Sequence, residues 1–145
     1  MHIEIIVGSM LGATEYVADE IHNLLNENDI SSTIHLEPQL ADLKTDSLWF
    51  ICTSTHGAGE LPDNIQQFAQ QLPGQQLNHV SYQIIGLGDS NYDTYCQGAI
   101  TMDSLMQQCS ARAIGEMFTV DVSVDIEPEV TVYQWLKTHL HRVIE

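Results

Sequence analysis

The chain alternates between two spacings of apolar residues along most of its length. Runs of consecutive apolar residues, as in "IEIIV" and "LWFIC", are typical of strands buried on both faces of a sheet. Between them, apolar residues recur every three or four positions, which is helical spacing. Strands are predicted at 2–7, 32–36, 47–52, 82–88 and near 116–122. Helices are predicted at 13–27, at 63–72, over roughly 93–110 and after Pro128, where the apolar stripe is Val132, Leu136, Leu140 and Val143.

Strands that alternate with helices favour an α/β fold. Right-handed crossovers between successive strands give a parallel sheet with helices on both faces. The length of 145 residues, without repeats or a Pro/Gly/Ser-rich linker, predicts one domain over 1–145. Ligands of such sheets bind where the strands end. The loops after the first, third and fourth strands are therefore the places to look for chemistry.

Charge restricts the possible partners. Four Lys plus Arg against twenty Asp plus Glu give a net charge of −16. Such a surface repels nucleic acid and anionic membranes and favours basic protein partners. No apolar run is long enough to span a bilayer, and the N-terminus lacks a basic signal-peptide region, so we expect a cytoplasmic protein.

Cysteine and histidine spacing argues against a metal site. The three cysteines are Cys52, Cys96 and Cys109, an odd number with no C-x-x-C pair. His139 and His141 are two apart on a predicted helix and should not share a face. We therefore expect no bound metal.

The first of the three loops, "GSMLGATE", is suited to a phosphate although it contains no Lys or Arg. Ser9, Gly12 and Thr14 stand between a strand and a helix start. Backbone N–H groups, the positive end of the helix and the hydroxyls can hold a phosphate without a cationic side chain. An ordinary strand-to-helix turn with a serine cap has the same residues, so this loop alone leaves both interpretations open.

The second and third loops carry the groups for a planar ligand. "CTSTHGAGELPDN" places Thr53, Ser54 and Thr55 after a buried strand, followed by the flexible turn 56–59. "GLGDSNYDTYC" has glycines for close backbone approach and then Tyr92, which could cover a ring. Tyr95 is three residues further and is predicted to be helical and to serve packing. A phosphate at the first loop and a ring between the other two describe one ligand.

With these motifs the whole chain resembles the short-chain flavodoxins, closest to the MioC-like group. "STHGAGELPDN" and "GLGDSNYDTYC" are highly specific to that family, whereas the first loop departs from the family pattern S/T-x-T-G-x-T, because Leu11 replaces the middle threonine. The resemblance implies a flavodoxin-like doubly wound, five-stranded parallel sheet of order 2-1-3-4-5. It also implies that the bound cofactor is FMN, held without a covalent bond.

The resemblance further implies the roles of single residues. Tyr92 matches the aromatic that stacks on the flavin, and His56 stands where a second aromatic is common. The Gly57 carbonyl matches the acceptor of a hydrogen bond from N5 of the reduced flavin. The predicted cofactor-binding residues are Ser9, Met10, Leu11, Gly12, Ala13, Thr14, Thr53, Ser54, Thr55, His56, Gly57, Ala58, Gly59, Gly88, Asp89, Tyr92, Tyr95 and Cys96.

The implied function is electron transfer by a monomeric carrier that is not an enzyme. A flavodoxin/ferredoxin reductase-type donor would load FMN, and a redox enzyme would accept the electrons, both docking through basic surfaces. Two alternatives stay open at this point: a small FMN-dependent quinone or azo reductase, and a non-redox regulatory module of the same fold. A phospho-receiver domain is excluded because no acidic cluster follows the first strand.

Overall fold

The computed structural model describes residues 1–9 and 12–144. Two of the predicted site residues, Met10 and Leu11, lie outside the described residues. The strands are β1 (His2–Gly8), β2 (Ser31–His35), β3 (Leu48–Thr53), β4 (Ser81–Gly88), β5 (Arg112–Ala113) and β6 (Phe118–Asp121). The helices are α1 (Ala13–Glu27), α2 (Asp63–Gln71), α3 (Gln97–Gln108), α4 (Pro128–His139) and α5 (His141–Ile144), with a 3-10 turn at Leu40–Asp42.

All strand pairs are parallel, and the sheet order is β2-β1-β3-β4-β5 with β6 also paired to β4. This confirms the predicted fold class and strand order. Neighbouring residues of the central strands point to opposite faces of the sheet. Ile5 and Phe50 belong to the core beneath α1 and α4, whereas Ile6 and Ile51 belong to the core beneath α2 and α3. Burial on both faces explains the continuous apolar runs of these strands.

The fifth strand position is interrupted. β5 pairs with the start of β4 and β6 with its end, whereas the sequence pattern predicts one strand near 116–122. The side chain of Gln83 fills the gap, because its Nε2 donates to the carbonyl oxygen of Glu116 at 2.8 Å and to that of Ile84 at 3.0 Å. A buried amide thus satisfies backbone groups that a continuous ladder would have paired.

Two helices differ from their predicted limits. α3 begins at Gln97 and not near residue 93, so the prediction that Tyr95 is helical is wrong. Cys96 has a left-handed conformation with φ of 54°, which a right-handed helix cannot continue through. The last helix is divided at Leu140, and across this break the rings of His139 and His141 lie 6.5 Å apart. The expectation that they would be separated by helical geometry therefore does not hold.

None of the helices within the described residues is both long and apolar enough to cross a membrane.

Candidate functional site

Three loops meet at the carboxyl ends of β1, β3 and β4 and enclose a cavity of about 390 Å³. Its volume is in the usual range for small-molecule sites. We call the segments 9–14, 53–60 and 88–96 the first, second and third loop, although each overlaps the neighbouring strand or helix by one or two residues. Met10 and Leu11 of the first segment lie outside the described residues. The lining residues are Ser9, Ala13, Thr14, Ser54, Thr55, His56, Gly57, Leu87, Gly88, Asp89, Tyr92, Thr94, Tyr95, Cys96 and Val122. No Lys or Arg occurs among these described lining residues, so backbone and neutral groups must hold any anion that binds here.

The first loop is held by Asn64, at the start of α2. The Asn64 Oδ1 atom accepts the backbone N–H of Ser9 at 3.0 Å. Its Nδ2 atom donates to the carbonyl oxygens of Val7 at 2.6 Å and Leu36 at 2.8 Å. One amide side chain therefore joins the end of β1, the residue after it and the segment after β2. Sequence reasoning missed this residue because its contacts are with residues far away in the chain.

The loop then turns into α1 at Gly12. Gly12 has φ of 88°, in the left-handed region that favours glycine, and its N–H donates to Ser9 Oγ at 3.1 Å. The hydroxyl of Ser9 thus shapes the turn as well as lining the cavity. The first turn of α1 begins at the cavity, and the free N–H groups of a helix start attract anions.

The side-chain oxygen of Thr14 indicates which kind of ligand the cavity binds. Its side chain is 1% exposed, yet it lines the cavity, and its Oγ1 atom has no hydrogen-bond partner among the described residues. A buried polar group without a partner costs free energy unless a ligand satisfies it. A phosphate oxygen at this end of the cavity would supply the missing partner, so the residues present fit a phosphate-bearing ligand.

The hydroxyls of the second loop have different roles. Thr53 is fully buried, donates to the carbonyl oxygen of Ser54 at 2.9 Å and does not line the cavity. Thr55 does line it, and its Oγ1 atom accepts the N–H of Gly98 at 2.9 Å. Gly98 is required there because a Cβ atom would lie 2.6 Å from the carbonyl oxygen of Ser54. Thr55 therefore joins the second loop to the first turn of α3.

The tip of the second loop is a closed turn. His56 and Glu60 exchange backbone hydrogen bonds of 2.7 and 2.8 Å. The Glu60 carboxylate accepts the N–H of Ala58 at 3.0 Å from within the same turn. Gly57 and Gly59 both have positive φ, 53° and 111°, so the turn depends on glycine at these positions. His56 and Gly57 are presented to the cavity, while Ala58 and Gly59 do not line it.

The third loop is fixed by Asp121, at the end of β6. Its Oδ1 atom accepts the N–H of Ser90 at 3.2 Å and both the N–H and the hydroxyl of Ser123, at 3.1 and 2.6 Å. The hydrogen bonds from Ser123 and Ser90 lower the pKa of Asp121 to about 2. The carboxylate is therefore charged at neutral pH and holds this loop through charge-assisted hydrogen bonds.

Tyr92 and Cys96, both on the third loop, line the cavity in different ways, since Tyr92 is exposed and Cys96 is buried. Tyr92 lines the cavity with 65% of its surface exposed, so its ring is available to cover a planar ligand. Cys96 is buried behind Gly88, where an added Cβ atom would lie 2.8 Å from the Cys96 sulfur. Burial raises the pKa of the Cys96 thiol, which the hydrogen bond with Tyr95 only partly offsets. The thiol therefore remains protonated and packs as a small apolar group.

The structure brings most of the predicted site residues to one cavity. Gly12, Thr53, Ala58 and Gly59 support the loops without lining it. Leu87, Thr94 and Val122 line it although sequence reasoning did not single them out. Leu87 is the apolar residue between Gly86 and Gly88 at the end of β4 and could have been found there. Val122 could not have been found in this way. It belongs to the loop after β6, whose sequence is acidic and contains no motif that indicates a binding site.

Within the described residues, no group of three or more His, Cys, Asp or Glu side chains is placed to hold a metal ion. The groups that the cavity does present suit an organic ligand with a phosphate.

Comparison with known proteins decides the family. Residues 5–134 match the flavodoxin family. The chain belongs to the flavodoxin family. It is 37% identical over 142 residues to a protein MioC homolog from Haemophilus influenzae, with 97% of each chain covered. It is 36% identical over 140 residues to flavodoxin YqcA from Escherichia coli, with 93% of each covered. These matches confirm the resemblance that the loop motifs indicated.

Solved structures agree with the sequence comparison. A cysteine-to-serine mutant of a flavodoxin from Pseudomonas aeruginosa superposes with a TM-score of 0.87 at 31% identity, over 100% of both chains. Flavodoxins bind FMN and carry electrons; they are not enzymes that transform a substrate. This protein is accordingly an FMN-binding electron-transfer protein, as the sequence predicts, and the alternative of a small reductase is not supported.

Proposed function

We propose that the whole chain acts as one monomeric domain that binds FMN in the cavity between its three loops and exchanges single electrons with two protein partners. In this arrangement, Ser9, Ala13 and Thr14 hold the phosphate. Thr55, His56, Gly57 and the third loop surround the ring. Bound FMN supplies the one-electron chemistry, and the protein supplies its orientation and environment.

The observation that carries this proposal is the unsatisfied Thr14 hydroxyl at one end of the cavity. Tyr92, exposed at the third loop, lines the same cavity and is suited to cover a planar ring. A regulatory module that never holds FMN would retain the cost of the buried hydroxyl without a compensating ligand. The arrangement therefore supports a site that is regularly filled.

Acidic side chains around the ring would influence its reduction. Asp89 and Tyr92 both line the cavity, and the charged Asp121 holds the loop that contains them. Negative charge close to the ring disfavours adding a second electron, because the fully reduced flavin is anionic. These carboxylates support a carrier with a low potential for its second electron.

The partners would dock at the loop after β6, which borders the cavity through Val122. Val124 and Ile126 are 79% and 90% exposed on this loop. The carboxylates of Asp125, Glu127 and Glu129 accompany them in the sequence. An apolar surface with a negative rim fits a basic partner surface. The carboxylates would attract the partner from a distance, and the apolar side chains would then contact it directly. We infer that a flavodoxin/ferredoxin reductase-type donor and an acceptor redox enzyme use this surface in turn.

The direct test is a visible spectrum of the purified protein before and after adding FMN, with stepwise reduction by dithionite. We expect stoichiometric binding and two resolved one-electron steps. If excess FMN does not bind at any salt concentration, the assignment of the cavity is wrong.

Docking can be tested separately with the FMN-loaded protein and a reductase of this type. Replacing Val124 and Ile126 by serine should slow reduction, and added salt should slow reduction of the unmodified protein. Ile144→Ser is the matched control, since Ile144 is also exposed, at 56%, but lies on α5. Equal effects of the control and the double variant would exclude the proposed surface.

A further inference from the structure

The structure has a second and larger cavity, of about 700 Å³, at the opposite end of the sheet. The first residue of each of the strands β1 to β5 lines it: His2, Ser31, Leu48, Ser81 and Arg112. We call it the amino-end hollow. Ser81 lines this hollow and Gly88 lines the FMN cavity, at the two ends of β4. At about 3.3 Å per residue, the two sites are roughly 23 Å apart.

The amino-end hollow concentrates the few positive charges of the chain. Of the four Lys plus Arg residues, Lys44, Arg112 and Arg142 line it, whereas Lys137 does not. Asp46 is the one Asp or Glu among its described lining residues. In a chain with a net charge of −16, three of the four Lys and Arg residues therefore line one concave surface. This distribution indicates a local attraction for anions within a repulsive field.

Contacts within the described residues fix the side chain of Arg112 and the backbone of Lys44 at this hollow. Arg112 Nη2 donates to Ser81 Oγ at 3.3 Å. The N–H of Lys44 donates to the buried Glu4 carboxylate at 2.9 Å, and its carbonyl oxygen accepts Trp49 Nε1 at 2.8 Å. The guanidinium of Arg142 lies beside Gly115, where an added Cβ atom would be 2.9 Å from Nη1. The backbone that carries Lys44 is therefore fixed, whereas Arg142 extends from the hollow to Gly115, which lines a neighbouring cavity.

Few carboxylates neutralise these cations. The salt bridges among residues 1–9 and 12–144 join Glu4 to His2 and His35, and none involves Lys44 or Arg112. The chain has twenty Asp plus Glu residues that could have paired with them. Lys44 and Arg112 line the same hollow without a salt bridge among these residues, so both can donate to a ligand. A guanidinium group can form two parallel hydrogen bonds with the oxygens of one phosphate.

We propose that the amino-end hollow binds a small anion that carries two or more linked phosphate groups. Its volume is within the range of small-molecule sites, and several separated cations suit a ligand with several charged groups better than a single phosphate. The acidic remainder of the surface opposes a long polyanion such as nucleic acid. It opposes a small anion less, because physiological salt screens charges beyond about 8 Å. The site is independent of the function proposed for the other end of the sheet.

The test is a calorimetric titration of inorganic pyrophosphate into the FMN-loaded protein at about 0.15 M salt. With FMN in place, the first loop cannot provide a competing phosphate site. We expect saturable binding of one pyrophosphate, weakened about tenfold by Arg112→Gln and by Arg142→Gln, since each removes charged donors. Lys137→Gln removes the same charge outside the hollow and should leave pyrophosphate binding unchanged.

Three results would overturn the proposal: no saturable binding, an equal loss in Lys137→Gln, or binding of orthophosphate as tight as that of pyrophosphate. Lys44→Gln provides a second variant if an arginine variant does not fold, because Lys44 is exposed outside the strands. A polyglutamate peptide should compete weakly or not at all. If this peptide binds while pyrophosphate does not, the hollow recognises an acidic protein segment and the proposal of a small-anion site is wrong.

Discussion

The carboxylate of Asp121 accepts the backbone N–H of Ser90 at 3.2 Å, and so connects the end of β6 to the third loop. The same oxygen accepts two hydrogen bonds from Ser123. Tyr92 is two residues after Ser90, and its own N–H donates to the carbonyl oxygen of Asp89 at 3.1 Å. The position of the proposed stacking aromatic therefore depends on a carboxylate about thirty residues later in the chain.

We predict that Asp121→Ala loosens the third loop. The amide hydrogen of Ser90 should exchange faster with solvent, and FMN should bind about threefold to tenfold more weakly, since a charge-assisted hydrogen bond that positions Tyr92 is lost. Hydrogen exchange and an FMN titration measure the two effects. Asp125→Asn is the control: the Asp125 carboxylate accepts hydrogen bonds from Glu127 and Thr131. Equal weakening in both variants would point to charge alone and not to loop position.

Thr14→Val is expected to separate stability from binding. The Thr14 hydroxyl is buried without a described partner, so its removal should leave the melting temperature of the FMN-free protein unchanged or raise it. FMN should bind about tenfold more weakly, because one donor to the phosphate is lost. Riboflavin, which has no phosphate, should bind equally well to both proteins.

Thr53→Val provides the contrast with this variant. The Thr53 hydroxyl is fully buried and already donates to Ser54, so the substitution should lower the melting temperature by removing a satisfied hydrogen bond. If Thr14→Val behaves in the same way and FMN binding does not change, the phosphate is not held at Thr14.

Tyr92→Ala should weaken the binding of both FMN and riboflavin by about tenfold or more, because an aromatic contact with the ring is lost. Tyr92→Phe retains the ring and should bind nearly as well as the unmodified protein. Tyr16→Ala is the control for removing an exposed tyrosine, since Tyr16 is 63% exposed but does not line the cavity. Fluorescence quenching of the flavin measures all three. An effect on FMN but not on riboflavin would contradict a stacking role.

The fold was predictable because strands buried on both faces leave a strong local signal. The residues of β3, from Leu48 to Thr53, are all buried, and the apolar run in the sequence shows this directly. The interruption of the fifth strand has no such signal, since it depends on the amide of Gln83 reaching Glu116, 33 residues away. The spacing of apolar residues predicts too early a start for α3, because it does not reveal the left-handed conformation of Cys96.

The residues that line the cavity were predictable for a related reason, because loops that follow parallel strands meet at one edge of the sheet. Loop composition identified Thr14, His56 and Tyr92, which stand on the loops that follow β1, β3 and β4. It could not identify Asn64 and Asp121, which hold those loops in position through contacts with residues 31 to 57 positions away. It also could not separate Thr53, which faces the interior, from Thr55, which faces the cavity.

Salt should strengthen FMN binding, contrary to its usual effect on phosphate ligands. The chain carries a charge of −16, and the described residues lining the cavity include no Lys or Arg. The phosphate of FMN therefore approaches a repulsive field that added ions screen, with a Debye length that falls from about 30 Å at 0.01 M to about 8 Å at 0.15 M. Titrations over this range should show a decreasing dissociation constant for FMN and a nearly constant one for riboflavin. Weaker FMN binding at high salt would mean that cations contribute to the site.

The buried carboxylate of Glu4 should make stability depend on pH. Glu4 is 2% exposed; its Oε1 atom lies 3.1 Å from His35 Nε2, and its Oε2 atom accepts the N–H of Lys44. Burial raises the pKa of this group, but the hydrogen bonds from His35 and Lys44 and the charges of His35 and His2 outweigh it. The net pKa is lowered from 4.5. The charged carboxylate therefore stabilises the fold above pH 4.5, and this contribution is lost as pH falls through the lower folded-state pKa.

Glu4→Gln should consequently be less stable than the unmodified protein at neutral pH, by about 1–3 kcal/mol, because charge-assisted hydrogen bonds are lost in a buried position. The difference should shrink as the pH falls below 4.5, since the unmodified protein then loses the same contribution. Urea unfolding of both proteins between neutral pH and about pH 3 measures the curves. Glu37→Gln, at an exposed position, is the control and should follow the unmodified protein throughout. A destabilisation by Glu4→Gln that does not change with pH would show that shape and packing, and not the charge of Glu4, stabilise this part of the sheet.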